Sequence, residues 1–319
     1  MLRHLLHRLL HGLLVLWLMS VVVFGIFFWA PQDVARRMAG RQATPETVAL
    51  IEHRLGLDRP MLEQYGTFVW RALHGDLGYD YYHQIPVIDI ITAALPKTAS
   101  LVLGGAVLWL VLGIASGTVS AVRARSWPDR VLTGLALVFY SMPAFLLGLL
   151  LLYFAYYQLT LAGLAWFPPG GYVPLTQDPL RWAQSLVLPW ITLALFQAAG
   201  YTRLTRSALL EVLGEDFIRT ARSKGLSERR VVVRHGLRVA VTPVFTQFGI
   251  DVGTLFGGAV VVETVFSIDG LGSEAIIALG NGDLPVIVGI VLFGTCAIVL
   301  ANITVDLLHA VLDPRVRLR

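Results

Sequence analysis

Among 319 residues there is one cysteine, Cys296, and charge is scarce, with only 14% of positions Asp, Glu, Lys or Arg. A single thiol closes no internal disulfide and supplies no metal-ligand spacing, so the chain offers neither a disulfide framework nor a zinc cluster. No G-x-x-x-x-G-K-[ST] string occurs, so the chain has no P-loop of its own with which to hold nucleotide phosphates. No internal repeat is visible. What is abundant is apolar residue: 56% of the chain is hydrophobic and the mean hydropathy is +0.68, whereas soluble domains carry about a quarter charged residues.

A bilayer core of about 30 Å takes about 20 apolar residues of helix. The sequence predicts six such spans, at approximately 9–29, 99–121, 131–157, 184–204, 240–266 and 285–308. The first is too long for a signal peptide and lacks a small-residue cleavage site. The fold class expected is therefore an all-α integral membrane protein with six transmembrane helices. Arginine and lysine gather in alternate loops. Arg3 and Arg8 precede the first span, Arg123, Arg125 and Arg130 follow the second, Arg206 to Arg238 follow the fourth, and Arg315, Arg317 and Arg319 close the chain. That bias puts both termini in the cytoplasm. The net charge of +4 is spread over several loops at one membrane face, which argues against a nucleic-acid partner.

The expected organisation is a first span (1–30), an extracytoplasmic helical segment (31–98), a five-helix core (99–312) containing a cytoplasmic loop at 205–239, and a tail (313–319). In the outer segment Thr44-Pro45-Glu46 starts a helix that Gly56 stops, and a second helix runs from Pro60 to near Gly75. Ile85 to Ile91 reads as a short interfacial helix before Pro96. The aromatic, Pro-Pro-Gly-Gly-containing loop at 158–183 reads as a membrane-edge anchor.

In the fifth span Gly249, Gly253 and Gly257 recur every four residues and line one face, where a neighbouring helix can come close. Asp251 lies about 200° around from Gly249 and shares its face with Thr254 and Gly258. A carboxylate at such depth costs roughly 2.5–3.5 kcal/mol to insert. It is thus expected to face the translocation pathway, together with Thr254 and Gly258, or a charge partner at a subunit interface. Glu263, at the outer end of the span, is expected to hold the 267–283 loop. His4, His7 and His11 have no carboxylate or cysteine beside them and are not read as metal ligands.

The most informative stretch is 215–239. Glu215 and Asp216 start a helix, and Arg222 and Lys224 end it, which matches the backbone dipole at both ends. Glu215 and Arg219 have i,i+4 spacing, and Phe217 and Ala221 are expected on one face with Ile218 beside them. Gly225 suits a left-handed cap, Ser227 suits the start of the next helix, and Arg230, Arg234 and Arg238 form a stripe along that helix. A basic helix–glycine–serine–helix device presents a short, rigid knob to a soluble partner.

Here the sequence resembles the permease subunits of ABC importers, whose cytoplasmic loop carries Glu-Ala-Ala, three residues, then Gly. In this chain the motif falls on Arg219-Thr220-Ala221-x-x-x-Gly225, with arginine for the glutamate and threonine for the first alanine, and Arg238 stands where many members have proline. That form is similar to the dipeptide/oligopeptide (peptide/nickel) subgroup. So are Gly75-Asp76-Leu77-Gly78, Ala94-Leu95-Pro96-Lys97-Thr98, Ser141-Met142-Pro143-Ala144-Phe145, Gly257 to Ser267, Gly270-Leu271-Gly272 and Leu312-Asp313-Pro314-Arg315, which cover nearly the whole chain.

The resemblance implies a coupling helix, with Asp216, Phe217, Arg219, Thr220, Ala221, Lys224 and Gly225 docking on a separate cytoplasmic ATPase. It further implies a bacterial inner-membrane protein and alternating access. ATP and Mg would sit on two partner ATPase subunits, or one fused ATPase, with no cofactor on this chain. The other partners implied are a second homologous permease, with a heterodimer favoured, an extracytoplasmic solute-binding protein and membrane lipid. Cargo would be di- or oligopeptide, with glutathione or chelated nickel as alternatives.

Two other classes compete. Gly280-Asn281-Gly282-Asp283 and Tyr79-Asp80 match short strings of intramembrane aspartyl proteases, a reading that needs both carboxyls in contact inside the membrane. They are expected instead at an outer boundary and in an outer loop. A stand-alone secondary transporter would want inverted repeats or broken helices near the midplane, which the sequence does not offer.

Overall fold

A computed structural model describes residues 2–29, 34–40, 43–56 and 58–312. Its helices are α1 (Leu2–Trp29), α2 (Val34–Ala39), α3 (Pro45–Leu55), α4 (Met61–Leu73), α5 (Val87–Val122), α6 (Trp127–Ser141), α7 (Ala144–Leu161), α8 (Pro179–Leu213) and α9 (Asp216–Ser223). α10 begins at Glu228–Arg230 and continues through a π-turn, Val231–Gly236, into Leu237–Ala240. α11 (Thr242–Val265), α12 (Leu271–Asn281) and α13 (Leu284–Leu312) follow. Among the described residues there is no strand, and one isolated antiparallel bridge joins Tyr79 to Pro86. Among the described residues four helices are long and apolar enough to cross a membrane: Val87–Val122, Ala144–Leu161, Pro179–Leu213 and Leu284–Ile303.

Local chemistry sets the ends of the small helices. Thr44 caps α3 by accepting the Thr47 N–H at 3.4 Å, Pro45 occupies the first turn, and Gly56 ends the helix at φ +68°. The residues expected to make a separate interfacial helix at 85–91 instead open α5, which runs from Val87 straight through Pro96. Proline forfeits one helical hydrogen bond. In apolar surroundings the remaining backbone groups have no water to turn to, which favours continuing the helix over breaking it.

The chain divides into two compact units, residues 1–96 with 274–319, and residues 97–273. In the first, α4 lies on α1, with Tyr65 and Phe68 ringed against Phe24 at 5.3 and 5.9 Å and the Ser20 and Tyr65 hydroxyls 2.8 Å apart. In the second, the core centres on Trp109, fully buried between Tyr201 and Phe248 with ring centroids 5.0 and 5.3 Å away.

Close helix approach in this second unit falls on α5. A Cβ on Gly113 would meet Tyr201 Cβ at 2.4 Å, and one on Gly117 would meet Thr205 Cβ at 2.6 Å and the Thr202 carbonyl at 2.7 Å. The glycine face read on the fifth span lies largely outside the described side chains, as Gly253, Gly257 and Gly258 do, together with Thr254.

Candidate functional site

α8 ends at Leu213, and after Gly214 the chain turns into α9. Ile218 and Ala221 on α9 are buried against Val231 of α10 and pack with Val212, Leu213 and Leu226. That apolar contact fixes which way the short helix points. Phe217 is turned out, 45% exposed, and Asp216, Arg219, Thr220, Lys224 and Gly225 are exposed with it. Phe217 lies one turn from Ala221 on the same side of the helix, yet only Ala221 is buried, so the ring stands at the open edge of that face. The inward anchor is the Ile218–Ala221 pair, and the phenyl ring sits on the outer side.

Two further details differ from the sequence reading. Arg219 donates to Asp216 at 3.2 Å, not to Glu215, which precedes the helix with extended backbone while Asp216 stands in its first turn. Ser227 stands at the start of α10 with extended backbone but makes no side-chain cap; its carbonyl accepts the Arg230 and Val231 N–H groups instead. Gly225 adopts φ +73° and donates its N–H to the Arg222 carbonyl at 2.9 Å. Across this bend Arg222 holds Glu228 with two bonds, 3.2 and 2.7 Å. Glu228, which sequence reasoning passed over, clamps the two arms of the elbow; its carboxyl is held below the usual range chiefly by the Arg222 hydrogen bonds.

The elbow's root is anchored by a pair also missed in the sequence. Arg206 on α8 donates from Nε and Nη2 to the two carboxylate oxygens of Asp129 at 2.8 and 2.9 Å. Asp129, buried in the first turn of α6, also accepts the Arg125 N–H at 2.8 Å and the Ser120 hydroxyl. The Arg206 hydrogen bonds, then that of Ser120, lower its pKa. Planar two-point pairing gives direction as well as attraction, so the loop at 122–130 is tied to the helix that leads into the elbow. Only a fold could show this, since the two residues are 77 positions apart.

Asp251 has an internal partner. Tyr201 donates its hydroxyl to Oδ2 at 2.8 Å, and Gln247 donates to Oδ1 at 2.9 Å. The carboxylate is thus held against the Trp109–Tyr201 cluster. Glu263 is completely buried. Thr98 donates to its Oε1 at 2.6 Å, Ser273 N–H donates to Oε2 at 3.0 Å, and the Thr98 hydroxyl in turn accepts the Leu271 N–H at 2.8 Å. A Cβ on Gly270 or Gly272 would come within 2.3 and 2.9 Å of that carboxylate. Val-Glu-Thr and Gly-Leu-Gly are therefore two halves of one joint, which holds residues 270–273.

The first unit brings Asp80 and Asp283 together. Tyr81 N–H donates to Asp283 Oδ2 at 3.0 Å, and the Tyr82 hydroxyl donates to the Asn281 carbonyl. The sequence placed these carboxylates in separate outer elements, and their meeting is a correction to that expectation. Both Asp80 oxygens and Asp283 Oδ2 accept backbone N–H groups and both residues are buried, which leaves no open cleft for a protease substrate. Beside them lies a cavity of about 320 Å³ within the same unit, with Arg54, Arg59 and Arg71 among its lining residues. Among the described residues no group of three or more His, Cys, Asp or Glu could hold a metal ion.

Comparison with known proteins agrees with this architecture. The family profile of binding-protein-dependent transport system inner membrane components matches residues 89–318, and its N-terminal companion matches residues 1–102. The chain is 40% identical over 312 residues, 98% of each chain, to a Brucella abortus (strain 2308) protein named "putative peptide transport system permease protein". It is 37% identical over 317 residues, 99% of each chain, to the glutathione transport system permease protein GsiC of Escherichia coli (strain K12). Among solved structures, an inward-facing MetNI methionine ABC transporter contains a chain of like fold, with a TM-score of 0.54 at 18% identity over 70% of this chain and 96% of that one.

Proposed function

The chain belongs to the family of binding-protein-dependent transport system inner membrane components, and from that premise we propose that it is a permease subunit that moves di- or oligopeptides across the inner membrane under the power of separate ATPase chains. Six spans with both termini in the cytoplasm would form half of a translocation unit. A second, different permease would complete it, and an extracytoplasmic binding protein would deliver cargo. The peptide and glutathione relatives support a peptide-like cargo. ATP and Mg would stay on the partner ATPases, since this chain has no P-loop.

One observation carries the proposal: an exposed phenyl ring, Phe217, on a helix whose other side is locked by Ile218 and Ala221. Burying the exposed part of that ring in a groove of the ATPase would contribute about 1 kcal/mol, and Arg219 and Lys224 would orient the docking more than strengthen it. Closure of the ATPases would then push on a rigid knob, and the Arg222–Glu228 clamp and the Asp129–Arg206 tie would pass the displacement into α8 and α6. Alternating access follows from that movement. The test is Phe217→Asp in the complete transporter. The expected result is normal membrane insertion with loss of ATPase co-purification and at least a tenfold fall in uptake; unaltered uptake would refute the docking assignment.

A further inference from the structure

Two buried carboxyls in contact cannot both ionise cheaply, because like charges stripped of water repel strongly. Asp80 and Asp283 are 6% and 3% exposed. Asp80 spends Oδ1 on the Tyr82 N–H at 2.7 Å and Oδ2 on the His83 N–H and imidazole Nδ1 at 3.2 and 2.7 Å. Asp283 spends Oδ2 on the Tyr81 N–H, while its Oδ1 is buried with no donor from any other group. A buried acceptor left empty is costly. One proton held between Asp283 and Asp80 answers both the empty acceptor and the repulsion.

We propose that Asp80 and Asp283 form a proton-binding site that clasps the 79–86 turn onto the turn between α12 and α13. With the proton present, Asp283 is a donor, Asp80 a fully engaged carboxylate, and the turn is held from both sides. Removing the proton leaves two adjacent buried anions, and the clasp opens. The turn is strained as well: Gln84 takes φ +57° and is kept there by its side-chain amide on the Asp80 and Tyr81 carbonyls at 3.3 and 3.2 Å, so release is aided from within. Tyr79, Tyr81 and Gln84 also wall the arginine-lined cavity, so opening the clasp reshapes it.

The protonation balance has the required sign. Burial first, and Asp80 second, push Asp283 up to about 7. Burial also opposes ionisation of Asp80, but hydrogen bonds from Asp283, Tyr82 and His83 together outweigh it and bring Asp80 down to about 2. The clasped form thus keeps a proton that a free carboxyl releases near 4, so it loses stability as pH rises from about 4 through about 7 and loses no more above that. The other titratable groups facing the pair are the His83 imidazole on Asp80, Tyr82, whose hydroxyl bonds the Asn281 carbonyl, and Tyr81, which burial and Asp283 push above the usual phenol range.

The test is amide hydrogen exchange of the full-length protein in micelles from pH 5.5 to 8.5, corrected for the intrinsic rise of exchange with pH. Protection at Tyr81, Tyr82 and His83 is expected to fall about tenfold between pH 5.5 and about 7 in the wild type and then to level off. Asp283→Asn, which keeps a donor without a charge, should stay protected throughout, and His83→Gln should retain the wild-type step. A flat wild-type profile would overturn the proposal even if no variant folds, and so would a step that disappears in His83→Gln. A chelator that strips protection at every pH would overturn it too, by assigning the pair to a metal cation.

Discussion

At position 225 the backbone alone decides what is tolerated. Gly225 sits at φ +73°, and a Cβ added there would meet no atom within 4 Å. Substitution therefore costs conformation and no packing, about 1–2 kcal/mol for a side chain forced into the left-handed region. Gly225→Val should bend the elbow away from its native angle, leaving membrane assembly intact while transport-coupled ATP hydrolysis falls several-fold. Gly225→Asn, which tolerates that region, should retain most of the coupling. Equal coupling in the valine variant would mean that the angle of the elbow is immaterial. This residue was legible in the sequence because its constraint is local. The facing of Phe217 was not, because adjacent positions on a two-turn helix compete for the inside, and the choice falls to Val231 and Leu213 beneath them.

Elements show the same division between local and non-local information. Four-residue glycine spacing announces that a helix can be approached closely, but it does not name the partner. It drew attention to the fifth span, while the contacts the described residues reveal include those of Gly104, Gly105, Gly113 and Gly117 on α5 against α8. Gly117 is the sharper test, since two of its nearest atoms are backbone, the Thr202 carbonyl oxygen and the Arg206 N, which cannot swing aside. Gly117→Val should push α5 off α8 at a cost of roughly 1–3 kcal/mol and, through Arg206, loosen the hold on Asp129. Thermal unfolding of the purified transporter should register the loss, and Gly134→Ala, whose added Cβ meets nothing within 4 Å and which lies inside α6, should show no loss and a slight gain. The α3 and α4 boundaries were readable from Thr44, Gly56 and Gly75, whereas the merging of 85–91 into α5 was not, because proline's local cost was weighed without the apolar surroundings that oppose a break.

For the whole molecule, what the sequence lacks matters as much as what it contains. Apolar runs fix a helical membrane protein without further information, and the basic elbow points to an outside source of work because the chain carries no P-loop with which to supply its own. Asp251 does not alter that logic. Its carboxylate is held by Tyr201 and Gln247, and a fixed, paired charge is poorly suited to act as the shuttling group of a proton-driven carrier. Vesicles containing this chain alone, with ATP inside and a proton gradient imposed, should therefore accumulate no dipeptide above the leak of empty vesicles. Adding the second permease, the ATPases and the binding protein should restore ATP-dependent accumulation, and Phe217→Asp should abolish it again. Concentrative uptake by the lone chain would put the energy source inside this helical bundle, and the exposed ring on α9 would then need a different explanation.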